Sequence, residues 1–363
     1  MKILDLYIIK KFLGTFFLAL TLIICIAIIF DLSEKMDNFL DNEAPLKAII
    51  FDYYLNFIPY FANMFTSLFV FISVIFFTSR LAAKSETIAM FSGGISYERL
   101  LVPFFIAATV ITVFSFVLGN YVIPKSNRHR IEFANNYISK GRSVDMIELT
   151  GHRQVAKGEY FYIKNYNIFP SGFMGYDVTL EKFEDTKLIS KLSAKVMIWD
   201  TIKNKWILEN YRIRNVYDDR EDIIIGFQID TSFNLTPEDF TVRYNAVQAM
   251  TPKELNEYIE IQKLAGTPDV INSEIEKYNR RITPFSTFIL TIIGFALAVR
   301  KNRNGGIGLN IGIGLLLSFS YILFMRFTTV FAISGLFSAW LSVWIPNIIF
   351  AIIAIFVYFI TRK

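Results

Sequence analysis

The chain has 363 residues, of which 53% are apolar, 19% are charged and 37 are Phe, with a formal net charge of +5. Soluble domains run at about 45–50% apolar and about 25% charged. The excess here is concentrated in two stretches nearly free of charge, which excludes a disordered chain, a collagen-like chain and a disulfide scaffold.

The first apolar run, Phe12 to Phe30, follows Lys2, Lys10 and Lys11. A signal peptide has an apolar core of about 7–15 residues and a small-residue cleavage site. This run is longer and is followed by Asp31 and Glu34, as at the end of a spanning helix. The second run, roughly Phe57 to Ser79, and the third, Leu100 to Ile123, also reach the length of about 20 residues that crosses a hydrocarbon core of roughly 30 Å. Pro124 is expected to end the third span. Ser126 to Ile138 then reads as helix.

Between the second and third runs lies Arg80 to Arg99. Ser85 is expected to cap a short helix holding Glu86, Ile88, Ala89, Met90 and Phe91, and Gly93-Gly94 to terminate it. One reading is a connection lying on the membrane surface. The other is a coupling helix that docks on a motor, with Met90 and Phe91 as apolar anchors and Glu86 as a polar contact.

Residues 143–248 read as β. Tyr160 to Ile163 is aromatic and β-branched, and Val178, Leu180 and Phe183 partly alternate with polar residues. Lys195 to Trp199 leads to a turn at Asn204, with Trp206 to Leu208 beyond it. Further strands are expected at Tyr211 to Val216, Ile223 to Ile229 and Ser232 to Leu235. Short strands with turn signals suggest an antiparallel sandwich or open barrel. Such a domain is either a plain soluble cap or a groove for an acyl chain or a partner strand. Thr251-Pro252-Lys253-Glu254 opens a helix that Gly266 stops. Thr267-Pro268-Asp269 starts another, running toward Thr283-Pro284.

The last runs are Pro284 to Val299, Ile307 to about Phe331, and Leu336 to Ile360. The first of these is short and is extended by helix from Tyr278. Gly308, Gly312 and Gly314 are expected to allow close helix packing. Arg326 lies inside the fifth run. An intramembrane arginine is costly unless paired or hydrated, so it either meets a carbonyl or carboxylate or faces an anionic head group. Asp31, Glu34 and Lys35 are its candidate neighbours.

Lysine and arginine set the orientation. With the N-terminus cytoplasmic, the inside segments hold eleven basic and three acidic residues, a charge of +8. The first outside loop carries −4, residues 124–282 balance to zero, and Arg326 adds one. The +5 is therefore a membrane-topology signal, and nucleic acid is not implied. The expected layout is residues 1–124 with three spans and the short helix near 84–94, an outside domain over 125–282, and three spans over 283–363.

Catalytic signatures are missing. Cys25 stands alone, and His129 and His152 are the only histidines, which leaves no internal disulfide and no Cys- or His-based metal site. There is no G-x-x-x-x-G-K-[ST] loop, no H-E-x-x-H and no G-x-S-x-G. The chain is expected to be no enzyme and to bind no cofactor, and energy for any transport is expected from a partner. The spans hold few carboxylates, which argues against a secondary transporter. The inside segments are too short for the output domain of a sensor or scaffold.

The sequence resembles the LptF/LptG family of lipopolysaccharide exporter permeases. The start Leu4-Asp5-Leu6-Tyr7-Ile8-Ile9-Lys10-Lys11 is similar to the family's first helix. Lys84 to Ser96, with Ser85, Glu86, Met90 and Gly94, is similar to its S-E-x-x-x-M-x-x-x-G coupling segment. Tyr258-Ile259, Leu264-Ala265-Gly266 and Pro284 fall where the family returns into its fourth helix. The N-terminus and Ile345-Pro346 resemble the G-type subunit slightly better.

The resemblance implies six spans in the inner membrane of a Gram-negative cell, with a periplasmic antiparallel β-jellyroll between helices three and four. It implies a second F/G-type permease, a cytoplasmic ABC ATPase dimer that uses ATP and Mg, and periplasmic jellyroll bridge proteins. Lipopolysaccharide would be the cargo, with Ser85, Glu86, Met90, Phe91 and Gly93 facing the ATPase. The first and fifth helices, with Phe30, Asp31, Lys35 and Arg326, would line the gate. One departure stands out: Asp31 occupies a position where the G-type pattern has lysine.

Overall fold

The structure, a computed structural model, describes residues 3–138, 151–169, 172–201, 203–217, 219–232, 235–237, 247–266, 270–299 and 306–362. Six helical segments are long and apolar enough to cross a membrane.

Helix α1 runs Ile3–Asp41. Ile8, Phe12, Phe16, Leu20 and Ile24 recur every four residues and are buried as one stripe. Leu18, Leu22, Ile29 and Phe30 lie on the outward side, each more than half exposed. The helix ends with Glu43 in the left-handed region (φ 51°). There the Ala44 N–H reaches the Phe39 carbonyl at 2.9 Å and the Glu43 N–H reaches Leu40 at 3.1 Å, a Schellman closure without its usual glycine.

The second span enters through a wide helical turn, Ile49–Tyr54, and continues as α2, Leu55–Ala83. The short helix α3 is Glu86–Ser92, and α4 is Tyr97–Val117. Pro124 does not end the third span. The chain passes through a second wide turn, Leu118–Val122, where the Ile123 N–H bonds the Leu118 carbonyl, and goes on as α5, Ile123–Tyr137. A proline lacks the N–H that a regular ladder needs. Here it sits in the first turn of α5, just after the wide turn has shifted that ladder by one residue.

The described strands form one six-stranded antiparallel sheet in sequential order: β1 Gly151–Ala156, β2 Glu159–Phe169, β3 Gly172–Glu184, β4 Lys187–Asp200, β5 Lys205–Val216 and β6 Glu221–Thr231. The two segments expected at Trp206 to Leu208 and Tyr211 to Val216 are one strand, interrupted at Asn210. Residues 233 and 234 of the strand expected at Ser232 to Leu235 lie outside the described residues.

A crease crosses this sheet. Lys164, Asp177, Lys195, Asn210 and Phe227 drop out of the ladders at matching positions in β2 to β6. Asp177 (φ 52°) and Asn210 (φ 51°) are left-handed there. The inward set changes parity at this line: Phe161 and Ile163 give way to Tyr166, Phe173 to Val178 and Leu180, and Ala194 to Met197. A perfect period of two over the full strand length therefore never exists in the sequence. Trp206 anchors the core, fully buried, and its indole N–H donates to the Leu235 carbonyl at 2.8 Å.

After the sheet come α6, Pro252–Ala265, and α7, Val270–Ile282. The cap expected at Thr251 is formed. The Thr251 N–H donates to Glu254 Oε2 at 2.8 Å and the Glu254 N–H to Thr251 Oγ1 at 3.4 Å, while Gly266 closes α6 with φ +64°. One tight turn, Thr283–Phe285, joins α7 to α8, Ser286–Ala298, so the short fourth run is extended to a 29-residue span. Helices α9, Gly306–Ile333, and α10, Ala339–Arg362, complete the bundle.

Helix α2 is the hub, with α1, α8 and α9 all packed against it. Gly314 makes this possible for α9, since a Cβ there would lie 2.3 Å from Ile75 Cδ1. Gly308 and Gly312 meet nothing within 4 Å, so only one of the three glycines serves the expected close contact. Buried polar pairs stitch the spans: Ser67 to Ser286 at 3.0 Å, Asn63 to Ser115 at 2.6 Å, and Tyr321 to Asn347 at 3.1 Å.

The chain divides into two compact units. One comprises residues 1–138, 248–255 and 271–363, and the other residues 139–247 and 256–270. The flanking helices α5 and α7 thus group with the helical unit, although charge alone places them outside the membrane.

Candidate functional site

Three places in the helical unit carry the groups singled out by sequence. The first is α3. Ser85 does not cap it: its φ is +61° and its hydroxyl makes no cap bond. A left-handed residue at that position points its side chain away from the first-turn N–H groups, which need an extended cap residue. Gly93 is ordinary (φ −77°), and the left-handed closure falls on Gly94 (φ +81°). The Ile95 N–H returns to Met90 at 3.1 Å and the Gly94 N–H to Phe91 at 3.0 Å. Met90 and Phe91 are half-buried against the chain's own core. The outward apolar side chain is Ile88, 49% exposed, which the sequence reading placed on the helix without a role. Beside it, Thr87, Ile88, Phe91, Tyr97, Thr361 and Arg362 help line a cavity of about 420 Å³. Tyr7 of α1 donates to Glu86 Oε2 at 3.3 Å.

The second place is the far end of α1. Lys35 donates to Asp31 and to the Tyr53 hydroxyl, and its ammonium lies 5.0 Å from the Tyr53 ring centre. Asp31 Oδ2 is buried without a partner among the described residues. Lys35 is therefore neutralised inside the protein, while Phe30 beside it stands 72% exposed. Arg130 of α5 stacks over Tyr60 at 5.1 Å at the same end.

The third is the outer side of α9. Arg326 is exposed and has no hydrogen bond or ion pair among the described residues. None of its expected neighbours, Asp31, Glu34 and Lys35, bonds it, and Asp31 and Lys35 are engaged with each other. Leu316, Phe319, Leu323, Phe327 and Val330 surround it on the helix surface, all more than half exposed. At helical spacing they form a continuous apolar stripe carrying one cation.

A group that sequence reasoning missed holds the returning chain. Successive carbonyls of Gln248, Ala249 and Met250 accept from Asn127 Nδ2 (3.5 Å), Arg128 Nε (3.1 Å) and Arg280 Nη1 (2.7 Å). Arg128 also pairs with Glu254, and this contact together with the Thr251 cap lowers the Glu254 carboxyl to about 2. The capping box was the one signal for this node in sequence.

Among the described residues no cluster of His, Cys, Asp or Glu could hold a metal ion. Its features are an exposed short helix between spans two and three and two poorly covered spans, α1 and α9, on a common hub. The profile of a family described as lipopolysaccharide export system permease LptF/LptG matches residues 6–359. The chain belongs to the LptF/LptG family. Among curated proteins, none matches it. As an LptF/LptG-family permease it is a non-catalytic component of a transport system and a multi-pass inner-membrane protein.

Proposed function

We propose that this LptF/LptG-family chain is the permease subunit of an ATP-driven exporter that extracts lipopolysaccharide from the inner membrane and passes it to a periplasmic bridge. The observation that carries the reading is the family match over residues 6–359, with α3 placed in the loop between spans two and three. Both termini are cytoplasmic and the β-domain periplasmic, supported by the +8 charge on the inside segments. A cytoplasmic ABC ATPase dimer binds ATP and Mg and docks on α3 through Glu86 and Ile88, with Met90 and Phe91 bracing the helix from behind. A second F/G-type permease faces α1 and α9. Lipid enters between them, with acyl chains along the exposed stripe and an anionic head group at Arg326. Lys35 is excluded from that role by its own aspartate.

The edge strand β6 leaves Ile225 and Phe227 about three-quarters exposed. An apolar edge of this kind suits strand addition by a jellyroll bridge protein.

The test is co-purification with the ATPase and the second permease, followed by ATP-dependent release of lipopolysaccharide from proteoliposomes. Glu86→Ala is expected to weaken ATPase association or uncouple release. Unchanged association and unchanged release by that variant would overturn the assignment of α3. A photocrosslinker beside position 326 is expected to capture lipopolysaccharide in the active complex, and repeated failure to do so removes Arg326 from the path.

A further inference from the structure

Two contacts tie the first turns of α1 to the segment that surrounds α3. Tyr7 donates to Glu86, the first residue of α3, at 3.3 Å. Asp5 accepts from Arg99 Nη2 at 2.7 Å. Arg99 follows α3 closely: the Gly94 turn ends that helix, Ser96 caps α4, and the Ser96 hydroxyl accepts from the Arg99 N–H at 3.2 Å. One contact therefore holds the start of α3 and the other holds its exit. Both land on residues two apart in α1.

The chemistry of the second contact is unusual for a helix start. Arg99 sits in the first turn of α4, where the helix dipole disfavours a cation. Asp5 sits in the first turn of α1, where the dipole favours an anion, and its side chain is only 6% exposed. A carboxylate so withdrawn from water needs its partner. The pair thus joins two different spans, with Arg99 placed against the dipole of its own helix.

Span one is also lightly covered. Only 22% of its apolar window is buried, as for span five, against 50% for spans two and three. At its α3 end such a helix moves with whatever holds it there.

We propose that Asp5–Arg99, assisted by Tyr7–Glu86, is a two-point clasp that transfers displacement of α3 to span one. Asp5, Arg99 and Tyr7 are positioning residues, since each acts through α3 and span one. The inference rests on the proposed ATP-driven export, with α3 as the motor's docking element.

The experiment uses the full complex of ATPase and both permeases in proteoliposomes containing purified lipopolysaccharide. Asp5→Arg, Arg99→Asp and the double exchange are compared for ATP hydrolysis, lipid release per ATP, and the nucleotide-dependent distance change between spin labels on spans one and five. Each single exchange is expected to keep ATP hydrolysis while lowering lipid release per ATP by about tenfold, within the usual range of inter-site coupling. The label movement is expected to vanish. The double exchange restores both, the signature of a direct pair.

Tyr7→Phe, which removes one hydroxyl and no packing, lowers release per ATP by about two- to threefold, as one modest hydrogen bond would. It remains informative if a charge exchange fails to assemble. Normal release and movement in the single exchanges, or in Tyr7→Phe where the exchanges do not assemble, overturn the clasp. So does an assembled double exchange without restoration. A wild-type complex that neither hydrolyses ATP nor releases lipid refutes the exporter reading itself, which separates the two failures.

Discussion

Spans one and five both lie against the hub helix α2 and both turn an apolar face outward, yet they are held by different physics. Besides its buried stripe, span one is tied by charged groups near each end: Asp5 to Arg99, and Lys35 and Asp31 to Tyr53. Span five is fastened by shape. Gly314 lets it approach Ile75, and Tyr321 bonds Asn347. The one charge on the outward side of span five, Arg326, is bonded to nothing among the described residues. Charged ties are directional and can be remade when a helix tilts, whereas interdigitated packing resists tilt. The contrast separates charges that hold the protein together from a charge left free for something else.

The contrast can be broken by substitution. Arg99→Leu is expected to have the largest effect, because it removes the cation from the buried Asp5 carboxylate. The melting temperature of the detergent-solubilised complex should fall by at least about twice as much as for Lys35→Met. Equal losses would erase the distinction between a tie across two spans and one centred within a helix. Gly314→Val should cost about 1–3 kcal/mol through overpacking against Ile75, read by thermal unfolding. A neutral result would mean that span five is not held by close approach.

Lys35→Met leaves Asp31 with Tyr53 alone and should cost about 1–2 kcal/mol, reduced by partial exposure. Arg326→Leu should leave assembly and melting unchanged or slightly improved, since an unpaired cation on an apolar face contributes no tie. A marked loss of assembly would make Arg326 structural. Gly312→Ala, which meets no atom within 4 Å, should stay within about 0.5 kcal/mol.

Acid sharpens the comparison from outside both spans. The Glu254 carboxyl is lowered from 4.5 to about 2 by Arg128 and the Thr251 cap. A depressed carboxyl stabilises the folded state above its unfolded value, and that contribution is lost as pH falls from 4.5 through about 2. Glu254→Gln should remove this part of the acid sensitivity, measured as the slope of melting temperature against pH, without changing behaviour near neutrality in sign.

Much was legible in the sequence because the membrane imposes a simple rule. Every apolar run long enough to span lies in a helix long and apolar enough to cross, including the short fourth run once its polar-flanked extension was counted. The capping box at Thr251 and Glu254 was legible because all its atoms lie within four residues. The cap at Ser85 and the stop at Pro124 were misread, because both depend on backbone shape set by the preceding turn. Sheet alternation was only partly visible, because the crease through Asp177 and Asn210 inverts it in mid-strand.

By itself the sequence determined the number of candidate spans, the β insertion and the short helix between spans two and three, all of which depend on local composition and order. Tertiary structure alone decided which charges are spent. Lys35 is closed off by Asp31 and Tyr53 and Asp5 by Arg99, while Arg326 and Ile88 stay exposed. Pairing across 94 residues, as for Asp5 and Arg99, leaves no local signature. It follows from which helix faces meet, and that is settled by packing over the whole bundle.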